Sequence, residues 1–129
     1  RPIMTDEVED HVLEAEEFDL SKAAASALNK TRRRGGRVVA VGTTTTRVLE
    51  TQYRDGAYQA GVGATAHYIY PPYQFKGVDC LQTNFHLPKS SLLALVYAFG
   101  GPELIKEAYT YAIKQRFRFY SYGDVMLIL

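Results

Sequence analysis

The stretch that most constrains the fold of this 129-residue chain is Gly35-Gly36-Arg37-Val38-Val39-Ala40-Val41-Gly42. A β-branched run bounded by glycines is the pattern of a short buried strand, and it spans Arg37 to Val41. Gly42 then turns the chain into Thr43-Thr44-Thr45-Thr46-Arg47, and Val48, Leu49 and Tyr53 continue at helical spacing. Upstream, Ser21 can cap a helix running through Ala23 to Ala27 and Leu28, with Gly35-Gly36 as its stop. Helix, strand, glycine turn, helix is the grammar of an α/β fold. With 47% hydrophobic and 22% charged residues, the chain suits one globular unit able to bury a core.

The remainder continues the alternation. Asp55-Gly56 is expected to end the second helix, followed by a Gly- and Ala-rich connection to Ala66. His67 to Tyr70 reads as a strand broken by Pro71-Pro72, and Val78 to Thr83 as another. Ser90 or Ser91 is placed to cap an apolar helix that ends at Gly100-Gly101. Pro102 suits the first turn of a further helix, whose face is Leu104, Ile105, Ala108, Ala112 and Ile113. Phe117 and Phe119 alternate as in a strand, and Tyr122-Gly123-Asp124 turns into a final strand, Val125 to Leu129. The expected class is α/β with a mixed, mainly parallel sheet and flanking helices.

Three functional classes recede at this point. The longest uninterrupted apolar run, Leu92 to Phe99, falls far below the ~20 residues that span a bilayer, so no membrane partner is expected. His11, His67 and His86 lie far apart without HxxxH or CxxC spacing, so no metal site is expected. The lone Cys80 cannot form an internal disulfide, reads as buried mid-strand, and points to a reducing, cytoplasmic setting. Charge is unevenly spread: residues 1–20 carry a net −7 and the other 109 a net +8. A basic body suits phosphate-rich partners through counterion release, unless the acidic segment lies across it and cancels it.

Three stretches can carry chemistry. In Val41-Gly42-Thr43-Thr44-Thr45-Thr46-Arg47, free amides and the positive dipole end of a helix meet four hydroxyls and a guanidinium, donors for a carboxylate, phosphate or ribose. Neither nucleotide fingerprint is met, and a threonine here can equally be a plain helix cap. Thr83-Asn84-Phe85-His86-Leu87-Pro88 follows a strand, where α/β folds place ligands. Asn84 offers donor and acceptor, Phe85 a stacking face, and His86 a group titrating near neutrality. Their structural alternative is a satisfied turn and a packed histidine. In Arg116 to Asp124, arginines interleaved with aromatics can bind phosphates and bases, although any strand with one wet face alternates likewise. Asp124 is a plausible acceptor for an amine or a ribose hydroxyl.

Taken together, Val39 to Glu50 (VAVGTTTTRVLE), Val78 to Gly101 (VDCLQTNFHLPKSSLLALVYAFGG) and Arg116 to Ile128 (RFRFYSYGDVMLI) resemble one family. It is the S-adenosylmethionine:tRNA ribosyltransferase-isomerase family of queuosine biosynthesis. All three signatures occur in the family's order. Arg1-Pro2 resembles the end of a further family segment, so residues 1–129 are expected to be roughly the C-terminal third of the enzyme, the C-terminal portion of its α/β catalytic domain. An N-terminal part and an inserted β-barrel would then lie elsewhere, and this portion would contribute to a larger, barrel-like mixed domain.

The resemblance implies transfer of the ribosyl moiety of S-adenosylmethionine to 7-aminomethyl-7-deazaguanine at the tRNA wobble position, giving epoxyqueuosine with loss of adenine and methionine. S-adenosylmethionine is consumed as a substrate, so no cofactor is implied, and the full-length protein is expected to be a monomer. On this reading His86 is the candidate general base or acid, oriented by Thr83 and Asn84 and accompanied by Phe85. Thr43, Thr44, Thr45 and Arg47 would hold the methionine carboxylate or a tRNA phosphate. Asp124, with Tyr122 and Gly123, would take the substrate amine or a ribose hydroxyl. Glu50 is a second carboxylate candidate unless it pairs with Arg47 one turn earlier. Two positions depart from the family pattern: Glu14 in His11-Val12-Leu13-Glu14-Ala15-Glu16 stands where a second histidine is usual, and Pro72 replaces a glycine. The rival readings are a non-catalytic tRNA- or RNA-binding module, resting on the basic body, and a small nucleotide-phosphate domain, resting on the Gly-Thr turn.

Overall fold

The structure, a computed structural model, describes residues 15–86, 91–116 and 124–129. His11, Glu14, Ser90, Phe117, Phe119, Tyr122 and Gly123, for which the sequence carries expectations, lie outside those residues.

The chain opens with strand β1 (Glu16–Leu20) and helix α1 (Lys22–Arg33). Ser21 caps α1 as its sequence indicates: its hydroxyl accepts the Ala24 amide at 3.1 Å. At the other end Gly35, at φ +77°, takes the left-handed turn that lets Gly36 donate to the Thr31 carbonyl at 2.9 Å. Strand β2 (Val39–Val41) and helix α2 (Thr43–Gln52) follow, joined by Gly42 at φ +96°, a conformation that suits glycine far better than any L side chain.

Helix α2 stops at Gln52, earlier than Asp55-Gly56. That dipeptide is the loop of a two-residue hairpin between β3 (Tyr53–Arg54) and β4 (Ala57–Tyr58). Both loop residues have positive φ, 55° and 79°, which matches the twist of the strands they connect. The Gly- and Ala-rich stretch expected as a connection contains β5 (Gly61–Thr65), paired antiparallel with β1 from Glu16↔Thr65 to Leu20↔Gly61. Its glycine content has a packing reason: a Cβ at Gly63 would come within 3.2 Å of the Phe18 ring.

Residues 67–70 do not form the strand expected of them. Ile69 is buried in the core, and His67 packs on Tyr73 while Tyr68 packs on Tyr70. Pro71-Pro72, which offers no amide donors, then ends any ladder.

The central sheet has the order β2–β6–β7, with β6 at Cys80–Asn84 and β7 at Val125–Ile128. The expected mixed orientation is present, but parallel pairing is narrower than expected: among the described residues only β2 and β6 run parallel, and β7 joins β6 antiparallel. The buried face carries Ala40, Leu81, Thr83 and Ile128. On the other face, register groups exposed Val39, Val41, Val125 and Leu127. Helices α3 (Ser91–Gly100) and α4 (Pro102–Lys114) complete the core with Leu95, Val96, Ile105 and Ala112. They cross so closely at Gly100 that a Cβ there would lie 2.5 Å from the Ile105 side chain. Cys80 is a buried free thiol, and among the described residues no helix is long and apolar enough to cross a membrane.

A candidate active site at one edge of the central sheet

Strand polarity brings the described residues of the three distant stretches together. Because β2 and β6 are parallel, with Val41 opposite Gln82, their carboxyl ends finish side by side. The Gly42 amide seals this junction by donating to the Gln82 carbonyl at 2.8 Å. Because β7 runs the other way, its beginning lies at the same edge, with Val125 opposite Asn84. Thr43 to Arg47, Thr83 to His86 and Asp124 therefore share one rim, the place where open α/β sheets bind ligands.

At the α2 side of the rim, Thr46 is fully buried and its hydroxyl donates back to the Gly42 carbonyl at 2.9 Å. Thr46 thus closes the first turn, leaving the amides of Thr43, Thr44 and Thr45 ahead of the first intrahelical bond. Thr43 is buried, whereas Thr44 and Thr45 are exposed. Arg47 is 5% exposed; its Nη2 pairs with Glu16 of β1, and its Nε has no acceptor among the described residues. Burial lowers the pKa of this guanidinium. Glu16 also accepts the Thr44 hydroxyl at 3.1 Å. So one residue of the acidic segment does reach a cation of the body.

Glu50 does not pair with Arg47. One carboxylate oxygen accepts the Tyr73 hydroxyl and the Lys76 amide, each at 3.0 Å, and the other accepts the Gly77 amide at 2.6 Å. This carboxylate ties down the 73–77 loop, and the Tyr73 hydroxyl, buried beside it, has its pKa raised.

At the β6 side, Thr83 is buried and its Oγ1 shares a 2.9 Å hydrogen bond with Nε2 of His86. The His86 amide donates to the Tyr109 hydroxyl of α4 at 2.7 Å. Burial lowers the His86 pKa, favouring the neutral ring, and pushes that of Tyr109 up to about 12. Asn84 reaches a different group from the expected imidazole: its Nδ2 donates to the Asp124 carbonyl at 3.4 Å, linking β6 to the start of β7. Phe85 is 3% exposed and lies edge-on to Tyr109, with centroids 5.2 Å apart, so its ring is spent on packing.

The structure adds three participants that the sequence did not single out: Glu16, Tyr109 and Tyr73. Each acts on a partner more than twenty positions away, beyond the reach of any local pattern.

A half-buried histidine, a desolvated arginine and the leading amides of α2 thus lie along one rim of the mixed sheet of an α/β protein. The family described as "Queuosine biosynthesis protein" matches residues 1–128, and the chain belongs to that family. It is 52% identical over 128 residues to the S-adenosylmethionine:tRNA ribosyltransferase-isomerase of Thiobacillus denitrificans, covering 99% of this chain and 37% of the relative. It is 52% identical over 129 residues to the protein of that name from Thermotoga maritima, covering 100% and 38%. A crystal structure of the S-adenosylmethionine tRNA ribosyltransferase of Thermotoga maritima superposes with a TM-score of 0.83 at 53% identity, over 88% of this chain and 40% of that one. The chain thus spans under two-fifths of the length of the curated relatives it matches.

Proposed function

We propose that this chain is the C-terminal portion of the α/β catalytic domain of an S-adenosylmethionine:tRNA ribosyltransferase-isomerase, working together with an N-terminal part and an inserted β-barrel. The reaction moves the ribosyl moiety of S-adenosylmethionine onto the aminomethyl group of 7-aminomethyl-7-deazaguanine at the tRNA wobble position. Epoxyqueuosine-tRNA forms, and adenine and methionine leave. The observation that carries this reading is the meeting of described residues from all three family signatures at one sheet rim.

The chemistry states what such a rim must supply. The sulfonium acidifies the C5′ hydrogens, so a modest base suffices to remove one, and the attacking amine must be neutral. His86, kept neutral by burial and held by Thr83, serves as that base and later as an acid. Arg47 and the threonines at the α2 start take the methionine carboxylate, as helix N-termini and guanidinium groups favour anions. Asp124, fixed near β6 by the Asn84 bond to its carbonyl, takes the substrate amine or a ribose hydroxyl with Tyr122. S-adenosylmethionine is consumed, so the reaction needs no metal or prosthetic group. The full-length protein acts as a cytoplasmic monomer.

The test is adenine release from S-adenosylmethionine, with and without tRNA carrying the aminomethyl-deazaguanine, by this chain and by the full-length protein. Release by the full-length protein alone supports the reading. Binding of tRNA without any release by either would replace it with an RNA-binding module.

A further inference from the structure

The proposed carboxylate subsite already holds a carboxylate, one that belongs to the protein. Glu16 accepts the Thr44 hydroxyl with one oxygen and pairs with Arg47 through the other. The two partners are unequally placed. The Arg47 side chain is 6% exposed, so its charge stays inside, whereas that of Glu16 is 36% exposed. Glu16 also stands at the terminal register pair of the β1–β5 ribbon, a sheet of two strands. Its carboxylate can therefore move out to water while Arg47 stays. The pairing is also incomplete, because Nε of Arg47 is buried without an acceptor among the described residues while Nη2 is engaged. A ligand carboxylate lying along the Nε and Nη2 edge would complete the two-bond fork that arginine favours.

We infer that Glu16 is a stand-in for the substrate carboxylate, neutralising Arg47 before substrate binds and yielding it to the amino-acid end of S-adenosylmethionine. This rests on the reading of Arg47 and Thr44 given above. Glu16 thereby becomes an internal competitor that sets the affinity of the site and favours carboxylate-bearing ligands over neutral ones. A buried arginine without Glu16 still requires an anion, so its demand passes to the ligand.

The test uses the full-length protein and measures equilibrium binding of S-adenosylmethionine and of an analogue in which hydrogen replaces the carboxylate. Glu16→Gln keeps the side-chain shape and removes the competing charge; it is expected to tighten S-adenosylmethionine at least threefold and leave the analogue unchanged. Glu16→Asp, one methylene shorter, should give a smaller gain of the same sign. Arg47→Ala should weaken S-adenosylmethionine tenfold or more without affecting the analogue. If Arg47→Ala behaves so while both Glu16 variants bind no tighter, Glu16 merely holds Arg47 in place and the inference falls. If Arg47→Ala leaves binding intact, the carboxylate subsite itself is wrong. If Glu16→Gln tightens tRNA and not S-adenosylmethionine, the anion is a phosphodiester and the inference is overturned.

Discussion

At the α2 start a buried cation is matched by a carboxylate from β1, whereas at the β6 end the half-buried His86 meets two hydroxyls, that of Thr83 at its imidazole and that of Tyr109 at its backbone amide. The two halves of the rim lie on neighbouring strands yet are built on opposite electrostatic plans. Desolvated charge at Arg47 demands a counter-anion and so suits binding of a charged substrate end. Desolvation at His86 lowers its pKa and keeps the ring neutral, the form able to accept a proton, which suits the proposed proton transfer. On the proposed roles, binding and chemistry should separate by mutation, and each substitution below asks whether that division holds.

The largest effect is expected at the neutral half. His86→Gln keeps a polar side chain but removes the titrating ring, and turnover should fall about 10²–10⁴-fold, the usual contribution of a general acid or base. The KM for S-adenosylmethionine should barely move. Single-turnover adenine release measures the step directly; unchanged turnover would take the base assignment away from His86.

Arg47→Ala should show the reverse pattern. A hydrogen bond to a charged group contributes about 1.5–3 kcal/mol, which corresponds to a KM raised roughly 10- to 150-fold, with kcat less affected. Stability should change little, since the abandoned Glu16 carboxylate has access to water. A loss confined to kcat would mean that the two halves are not divided as described.

Tyr109→Phe probes the support beneath the neutral half. It removes the acceptor of the His86 amide and keeps the buried ring that packs on Phe85. Leaving that amide unpaired should cost about 1–3 kcal/mol of stability, read from denaturant unfolding. Turnover should fall by less than in His86→Gln, because the imidazole itself remains.

Much of this rim was legible in the sequence, for local reasons. Gly42 announces a strand-to-helix turn because only a glycine readily takes its φ of 96°. Ser21 and Pro102 mark helix starts through their own backbone chemistry. The ribbon of β1 and β5 was not legible: acidic residues on its wet positions and glycines beneath Phe18 mask the alternation. Asp55-Gly56 carried a hairpin signal that could have been read, since that dipeptide favours two successive positive φ angles. The partners Glu16–Arg47 and His86–Tyr109 were out of reach, because each depends on where β1 or α4 docks. Glu50 shows the same limit: its motif neighbour Arg47 lies one turn away, yet its partners come from the 73–77 loop.

The smallest expected effect is a pH dependence that separates His86 from the other half-buried histidine, His67. Burial lowers the pKa of both rings below the ordinary value near 6.5. The unfolded chain therefore binds protons more readily than the native one, and stability rises with pH across that window. Stability should be full above about 6.5 and fall as the pH drops through the lowered native values. His67→Gln should remove part of that acid sensitivity. It should leave the acid limb of turnover in place, with a midpoint below about 6.5, because on the proposed roles His86 is the group that must be neutral. An acid limb that moves with His67→Gln would transfer the proton-taking role to the face of α2 that carries Arg47 and Glu50, and would dissolve the division between the two halves of the rim.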